Sequence, residues 1–129
     1  MVSPPSAAPS LPRVLVVEDH PADLDLLRFA LGAGYEMVHA ETAEAAMHSL
    51  AKRLPHAVLL DWMLPGDMQG IELLQFIRRR HVYRHLPVAM LSSHTDPMHM
   101  LEAHQLGASV FFSKPIQPAR LVRWLQQVT

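Results

Sequence analysis

Glu18, Asp19, Asp61, Ser92 and Lys114 are of types that can do chemistry together. Each follows a short apolar run. Glu18-Asp19 follows Val14–Val17, Asp61 follows Ala57–Leu60, Ser92-Ser93 follows Val88–Leu91, and Ser113-Lys114-Pro115 follows Val110–Phe112. If those runs end at one edge of the molecule, three carboxylates, a hydroxyl and an ammonium converge there. Two carboxylates ~5 Å apart repel by roughly 3 kcal/mol at an effective dielectric near 20, so a cluster of acids needs a proton or a cation to relieve it. One lysine cannot neutralise three acids. A hard divalent cation can, and Mg²⁺ is typically held by one or two carboxylates with water and phosphate oxygens around it. Taken singly, each acid reads equally well as a solvated loop charge. The set, at matching run ends, points to a cation.

The elements that must position these groups are legible from period and punctuation. The apolar runs above, with a fainter one at Glu36–His39, have the length of buried strands. Between them lie residues at helical spacing: Leu24, Leu27, Ala30 and Leu31; Ala43, Ala46, Met47 and Leu50; Ile71, Leu74, Phe76 and Ile77; Met98, Leu101 and Leu106; Leu121, Val122, Leu125 and Val128. Pro21, Pro97 and Pro118 suit first helical positions, where the missing N–H costs nothing. Asp96 reads as an N-cap and Gly107 as the residue just past the same helix. Asp23 and Asp25 place negative charge near the first helix's positive end. Five strands alternating with five helices imply an α/β fold with a parallel sheet covered on both faces. At this length that is a single doubly wound, flavodoxin-like (βα)5 domain with strand order 2-1-3-4-5. Such sheets bind ligands beyond the carboxyl ends of their strands, at the switch in strand order, which is where the acids, the serine and the lysine fall.

Composition narrows the class without naming a function. The chain has 129 residues, half of them apolar, enough for one continuous core. Its net charge of −1 supplies no electrostatic footprint for direct nucleic-acid binding. No apolar run approaches the ~20 residues that cross a bilayer, so no membrane association is expected. The start, MVSPPSAAPSLP, lacks the basic opening and apolar block of a secretory signal. Its four prolines read as a flexible leader over residues 1–12, with the folded domain over 13–129. The absence of cysteine excludes a disulfide framework and fits a cytoplasmic location.

The segments VLVVEDH (14–20), DWMLPG (61–66), PVAMLSS (87–93) and GASVFFSKP (107–115) resemble, in order and spacing, the four signature blocks of response-regulator receiver domains, the CheY-like family of two-component signalling. The likeness covers about residues 13–128. It implies a switch that accepts a phosphoryl group on Asp61 from a sensor histidine kinase or phosphotransfer protein. Glu18, Asp19, Asp61 and the backbone carbonyl of Met63 would hold Mg²⁺. Lys114 and Ser92 would contact the phosphoryl group, and Phe111 matches the aromatic that turns inward on activation. The Lys114–Pro115 bond is cis in most of the family. Such a domain is no ordinary enzyme, although it catalyses its own phosphorylation and dephosphorylation. Its output is an effector or a second copy bound through the face of the fourth helix, fifth strand and fifth helix. Since the sequence ends one helix after Lys114-Pro115, the resemblance implies a stand-alone receiver or a piece of a longer protein.

Some residues depart from the pattern. Pro65 and Gly70 enclose Gly66, Asp67, Met68 and Gln69, one residue more than is usual, which can reshape the loop beside the metal. His20 stands where Asn is frequent, Ser92 replaces the commoner Thr, and His94 lies where side chains influence hydrolysis of the acyl phosphate. His81 and His85 are four apart; His94, His99 and His104 are five apart and so scattered around a helix, without the ligand spacing of zinc. Arg78-Arg79-Arg80 reads as the cationic end of a helix, Trp62 as packing beside the site, and Trp124 as core or partner face. Two other functions compete. One is a degenerate receiver that docks without phosphorylation. The other is a Mg²⁺-dependent aspartyl-phosphate phosphatase, disfavoured because Met63 stands where such enzymes carry a second acid.

Overall fold

The computed structural model describes residues 10–129, so the leader expectation lies outside the described residues except for its last three positions. There the carbonyl of Pro12 accepts the Glu36 N–H at 2.9 Å, so sheet hydrogen bonding begins one residue before Arg13.

Five strands form one parallel sheet in the order β2-β1-β3-β4-β5. They are β1 (Arg13–Val17), β2 (Glu36–Ala40), β3 (Ala57–Asp61), β4 (Val88–Ser92) and β5 (Val110–Ser113). The helices are α1 (Pro21–Leu31), α2 (Ala43–Lys52), α3 (Gly70–Arg79), α4 (Pro97–Gln105) and α5 (Pro118–Val128). This is the flavodoxin-like order expected from the sequence. Central strands β3 and β4 are buried at every position, which is why they read as continuous apolar runs rather than alternating ones. Successive residues nevertheless face opposite layers. Leu15, Val17, Val58 and Leu60 pack with α2 and α3, whereas Val14, Val16, Leu59 and Leu91 pack with Leu27 and Leu31 of α1 and Leu121 and Leu125 of α5.

Helix starts follow the punctuation. Pro21, Pro97 and Pro118 open α1, α4 and α5. Thr42 accepts the Ala45 N–H, and Asp96 accepts the His99 N–H at 3.0 Å. Gly107 follows α4 at φ +106, a conformation that favours glycine. The peptide bond between Lys114 and Pro115 is cis, as the resemblance implied.

Three details differ from the sequence reading. In α3 the fully buried face is Gly70, Leu73, Leu74 and Ile77, while Ile71 and Phe76 are only half-buried. Phe76 instead lies under the Arg80 guanidinium at 4.7 Å. In α4 the helix forms as expected, but its core contact is Ala103, and Met98 and Leu101 are 72% and 45% exposed. The spacing of its large apolar residues therefore marked a helix and not its buried face. Finally, Arg78 does more than suit a helix dipole. Its guanidinium donates to the carbonyls of Gly107 and Leu86, both at 2.7 Å, tying α3 to the connections that precede β4 and β5.

Candidate functional site

The register of the sheet brings the polar run ends together. Asp61 closes β3 opposite Leu91, Ser92 closes β4 opposite Ser113, and Glu18-Asp19 directly follow β1. Glu18 continues the sheet for one more bond, donating its N–H to the Ala40 carbonyl at 3.1 Å. The ring of His39, also of β2, bonds the Glu18 carbonyl at 2.7 Å.

Glu18, Asp61 and Ser92 are the buried polar or charged residues of the described chain. A buried carboxylate needs compensation. For Glu18 it is complete: Oε1 accepts the backbone N–H groups of Asp19 and His20 at 3.2 Å, and Oε2 accepts from Lys114 Nζ at 2.9 Å. For Asp61 it is not. Oδ1 accepts the Met63 N–H at 3.3 Å. Oδ2 lies 3.3 Å from Lys114 Nζ yet makes no hydrogen bond, and Asp19 Oδ1 is also buried without a partner. Burial, and then the neighbouring Glu18, push the Asp61 carboxyl up to about 7 against the pull of Lys114. Burial also works against the charge of Lys114, but bonds to Asp23 and Glu18 outweigh it and hold the ammonium above its ordinary range.

Oxygen-rich and electron-rich, this arrangement suits a hard divalent cation. Ligand atoms of Glu18, Asp19, His20 and Asp61 lie within 4.8 Å of one another, the one such group among the described residues. The two orphaned oxygens, on Asp19 and Asp61, belong to that group, so the residues fit a metal. Met63 stands beside it, joined to Asp61 through its amide, with an exposed side chain.

Ser92 is 1% exposed, and its Oγ accepts the His94 N–H at 3.0 Å. Phe111 is half-buried, packs against the core and meets the ring of His99 edge-on at 6.0 Å. Trp62 packs beside Asp61, stacked on the same imidazole. The lengthened loop does not bring Asp67 into the acidic group; Asp67 is exposed. Gln69 closes that loop by accepting the Leu64 N–H at 3.0 Å and donating to the Leu64 carbonyl at 2.8 Å. Gly66 turns it at φ +92. Gly70 approaches Asp61 so closely that a Cβ there would lie 2.0 Å from the Asp61 carbonyl oxygen.

Sequence reasoning missed two members of the site. Asp23, read only as a charge at a helix end, holds Lys114 Nζ at 2.8 Å. The available signal was its place in the first turn of the helix that starts at the acidic pair. The other is His99, whose five-residue spacing from His94 and His104 gave no sign of a role. Its signal was position, since a helix capped by Asp96 presents its third residue toward the strand ends.

Comparisons with known proteins agree with this geometry. Residues 14–126 match the family described as "Response regulator receiver domain". The phosphate regulon transcriptional regulatory protein PhoB of Escherichia coli K12 is 33% identical over 117 residues, 90% of this chain and 51% of that protein. The chain thus spans about half the length of the curated relatives it matches. Among solved structures, the chemotaxis response regulator CheY4 of Vibrio cholerae superposes with a TM-score of 0.83 at 28% identity, covering 93% of this chain and all of that one. The receiver domain of NtrX from Brucella abortus superposes with a TM-score of 0.81 at 32% identity, covering 89% and 96%.

Proposed function

The chain belongs to the response-regulator receiver family, and from that premise we propose that it is a phosphorylation switch whose accepting group is the Asp61 carboxylate. Receiver domains are regulatory switches rather than enzymes acting on a separate substrate. The observation that carries the proposal is the buried Asp61 carboxylate, 2% exposed, with one oxygen unbonded beside Glu18, Asp19 and Lys114.

A histidine kinase or phosphotransfer protein carries the phosphoryl group on an imidazole nitrogen. An Asp61 oxygen attacks phosphorus, the P–O bond forms as the P–N bond breaks, and the released imidazole takes up a proton. A carboxylate is a poor nucleophile, so positioning and charge neutralisation supply most of the acceleration. Glu18, Asp19, Asp61 and the Met63 carbonyl would hold Mg²⁺, which would offset charge on the transferring phosphoryl oxygens. Lys114, whose Nζ lies 3.3 Å from Asp61 Oδ2, adds a second positive charge beside those oxygens. Ser92 donates to a phosphoryl oxygen once the group has arrived, and this contact, made in one state only, shifts the conformational equilibrium. Phe111 follows Ser92, and an effector or second copy reads the change at the face of α4, β5 and α5. The same groups accelerate hydrolysis of the acyl phosphate. No helix among the described residues is long and apolar enough to cross a membrane, and we place the switch in the cytoplasm with its kinase.

Beryllofluoride, an acyl-phosphate mimic, tests the proposal. Mg²⁺ should quench Trp62 fluorescence and beryllofluoride should then give a saturable response, both lost in Asp61→Asn. A folded wild-type protein that responds to neither overturns it.

A further inference from the structure

His99 sits where the switch side chains meet. Its imidazole stacks on Trp62, the residue after Asp61, with centroids 3.5 Å apart and planes inclined by 29°. It meets Phe111 edge-on at 6.0 Å, and its Nε2 lies 3.2 Å from Ser92 Oγ. The backbone presents the ring there because Asp96 caps α4 through the His99 N–H.

Proton accounting gives these contacts a direction. The Ser92 hydroxyl has one proton, two lone pairs and 1% exposure. Its oxygen accepts the His94 N–H. Among the described residues, the one acceptor bonded to that hydroxyl is His99 Nε2. A buried hydroxyl left without an acceptor is costly, so Ser92 donates to Nε2, and the neutral ring keeps its own proton on Nδ1. A phosphoryl group offers oxygens that only accept. Ser92 cannot give its single proton to a phosphoryl oxygen and to His99 at once.

We propose that His99 is a positioning residue of the switch, a latch that holds the Ser92 hydroxyl while Asp61 is unmodified and loses it when Asp61 is phosphorylated. This rests on the reading of Asp61 as phospho-acceptor. The exchange favours the phosphorylated side, because a bond to a charged oxygen replaces one to a neutral nitrogen. The ring is stacked on Trp62 and edged by Phe111, so its release unfastens the first turn of α4 from the strand ends. That turn carries Met98, already 72% exposed.

Imidazole nitrogen NMR on the full chain at pH 8 reads the latch directly. In the free protein His99 should be the Nδ1–H tautomer with Nε2 accepting a hydrogen bond. Mg²⁺ with beryllofluoride should shift the Nε2 resonance toward an unbonded nitrogen, and Ser92→Ala should do so without beryllofluoride. An Nε2 resonance that neither change moves overturns the latch.

Two variants separate the hydrogen bond from the ring, read by the fluorine resonance of bound beryllofluoride rather than by Trp62. His99→Phe keeps an aromatic ring on Trp62 and removes the acceptor, so half-saturation should need about 3- to 10-fold less beryllofluoride, the worth of one neutral hydrogen bond. His99→Gln keeps an acceptor and should stay within about twofold of wild type, as expected if the bond rather than the ring restrains Ser92. Equal shifts in both variants, or none in His99→Phe, overturn the latch while leaving Asp61 as acceptor, provided wild type binds beryllofluoride and Asp61→Asn does not. A wild type that binds none overturns both readings together.

Discussion

Replacing Asp61 by Asn should make the metal-free protein more stable, and the structure gives the size of the gain. The folded-state pKa of Asp61 is raised from 3.8 to about 7. Its charged form is therefore disfavoured by the fold. Stability is unaffected by this group below about pH 4, falls as the pH rises through the interval between the two values, and carries the full cost above about 7. Three pKa units correspond to about 4 kcal/mol, and at 2% exposure little of that is screened by solvent. Asn brings an amide that must find partners, which trims the expected gain at pH 8 to about 2–4 kcal/mol. For a chain of this length that is roughly 7 to 15 °C in Tm. At pH 5, where only the first part of the interval has been crossed, the difference should shrink to about 2 kcal/mol or less. Urea unfolding followed by far-ultraviolet circular dichroism in EDTA measures both. Saturating Mg²⁺ should then raise the stability of wild type much more than that of the variant, because it binds the folded state through the carboxylate the variant lacks. An Asn variant no more stable than wild type in EDTA at pH 8, or a gap independent of pH, would refute the strain assigned to Asp61.

Two further predictions concern what supports the site. Gly70→Ala places a Cβ 2.0 Å from the Asp61 carbonyl oxygen, a clash with backbone that no rotamer relieves; it should cost about 2–3 kcal/mol in urea unfolding, and an unchanged midpoint would refute the close approach. Arg78→Ala removes donors to the Gly107 and Leu86 carbonyls and should cost about 2–3 kcal/mol while accelerating amide exchange around residues 84–86 and 107–109. Arg78→Lys should restore little, since one ammonium cannot span both carbonyls; unaltered exchange in Arg78→Ala would contradict this role.

The strands, the helix starts and the convergence of Glu18, Asp19, Asp61, Ser92 and Lys114 at one edge were legible because each rests on a short-range signal. Run length, a proline at the first helical position and a polar residue closing an apolar run need no knowledge of distant partners. What escaped depends on distance. Asp23 and Lys114 are separated by 91 residues, and nothing near Asp23 says which cation it will face. Arg78 reaches carbonyls in two connections that only the finished fold brings together. His99 was lost for another reason. Spacing to other histidines along the chain carries no trace of its partners, because Trp62, Ser92 and Phe111 come from β3, β4 and β5 or the residue just after.

The misjudged face of α4 bears on how such a switch can move. Helices α1, α2, α3 and α5 each bury at least one leucine in the core, whereas α4 buries Ala103 alone and leaves Met98 and Leu101 in solvent. A leucine withdrawn from a core costs roughly 1.5–3 kcal/mol in transfer alone, an alanine methyl well under half of that. Displacing α4 is therefore the smallest rearrangement of packing available to this sheet, within reach of the exchange of a few hydrogen bonds. The same helix carries His99, the ring bonded to the buried hydroxyl at the end of β4. The transfer of one hydrogen bond from His99 to a phosphoryl oxygen would be too small a perturbation to repack α1 or α3, which are held by several large side chains. It is of the right size to release a helix held by one methyl group, a stacked imidazole and one serine proton.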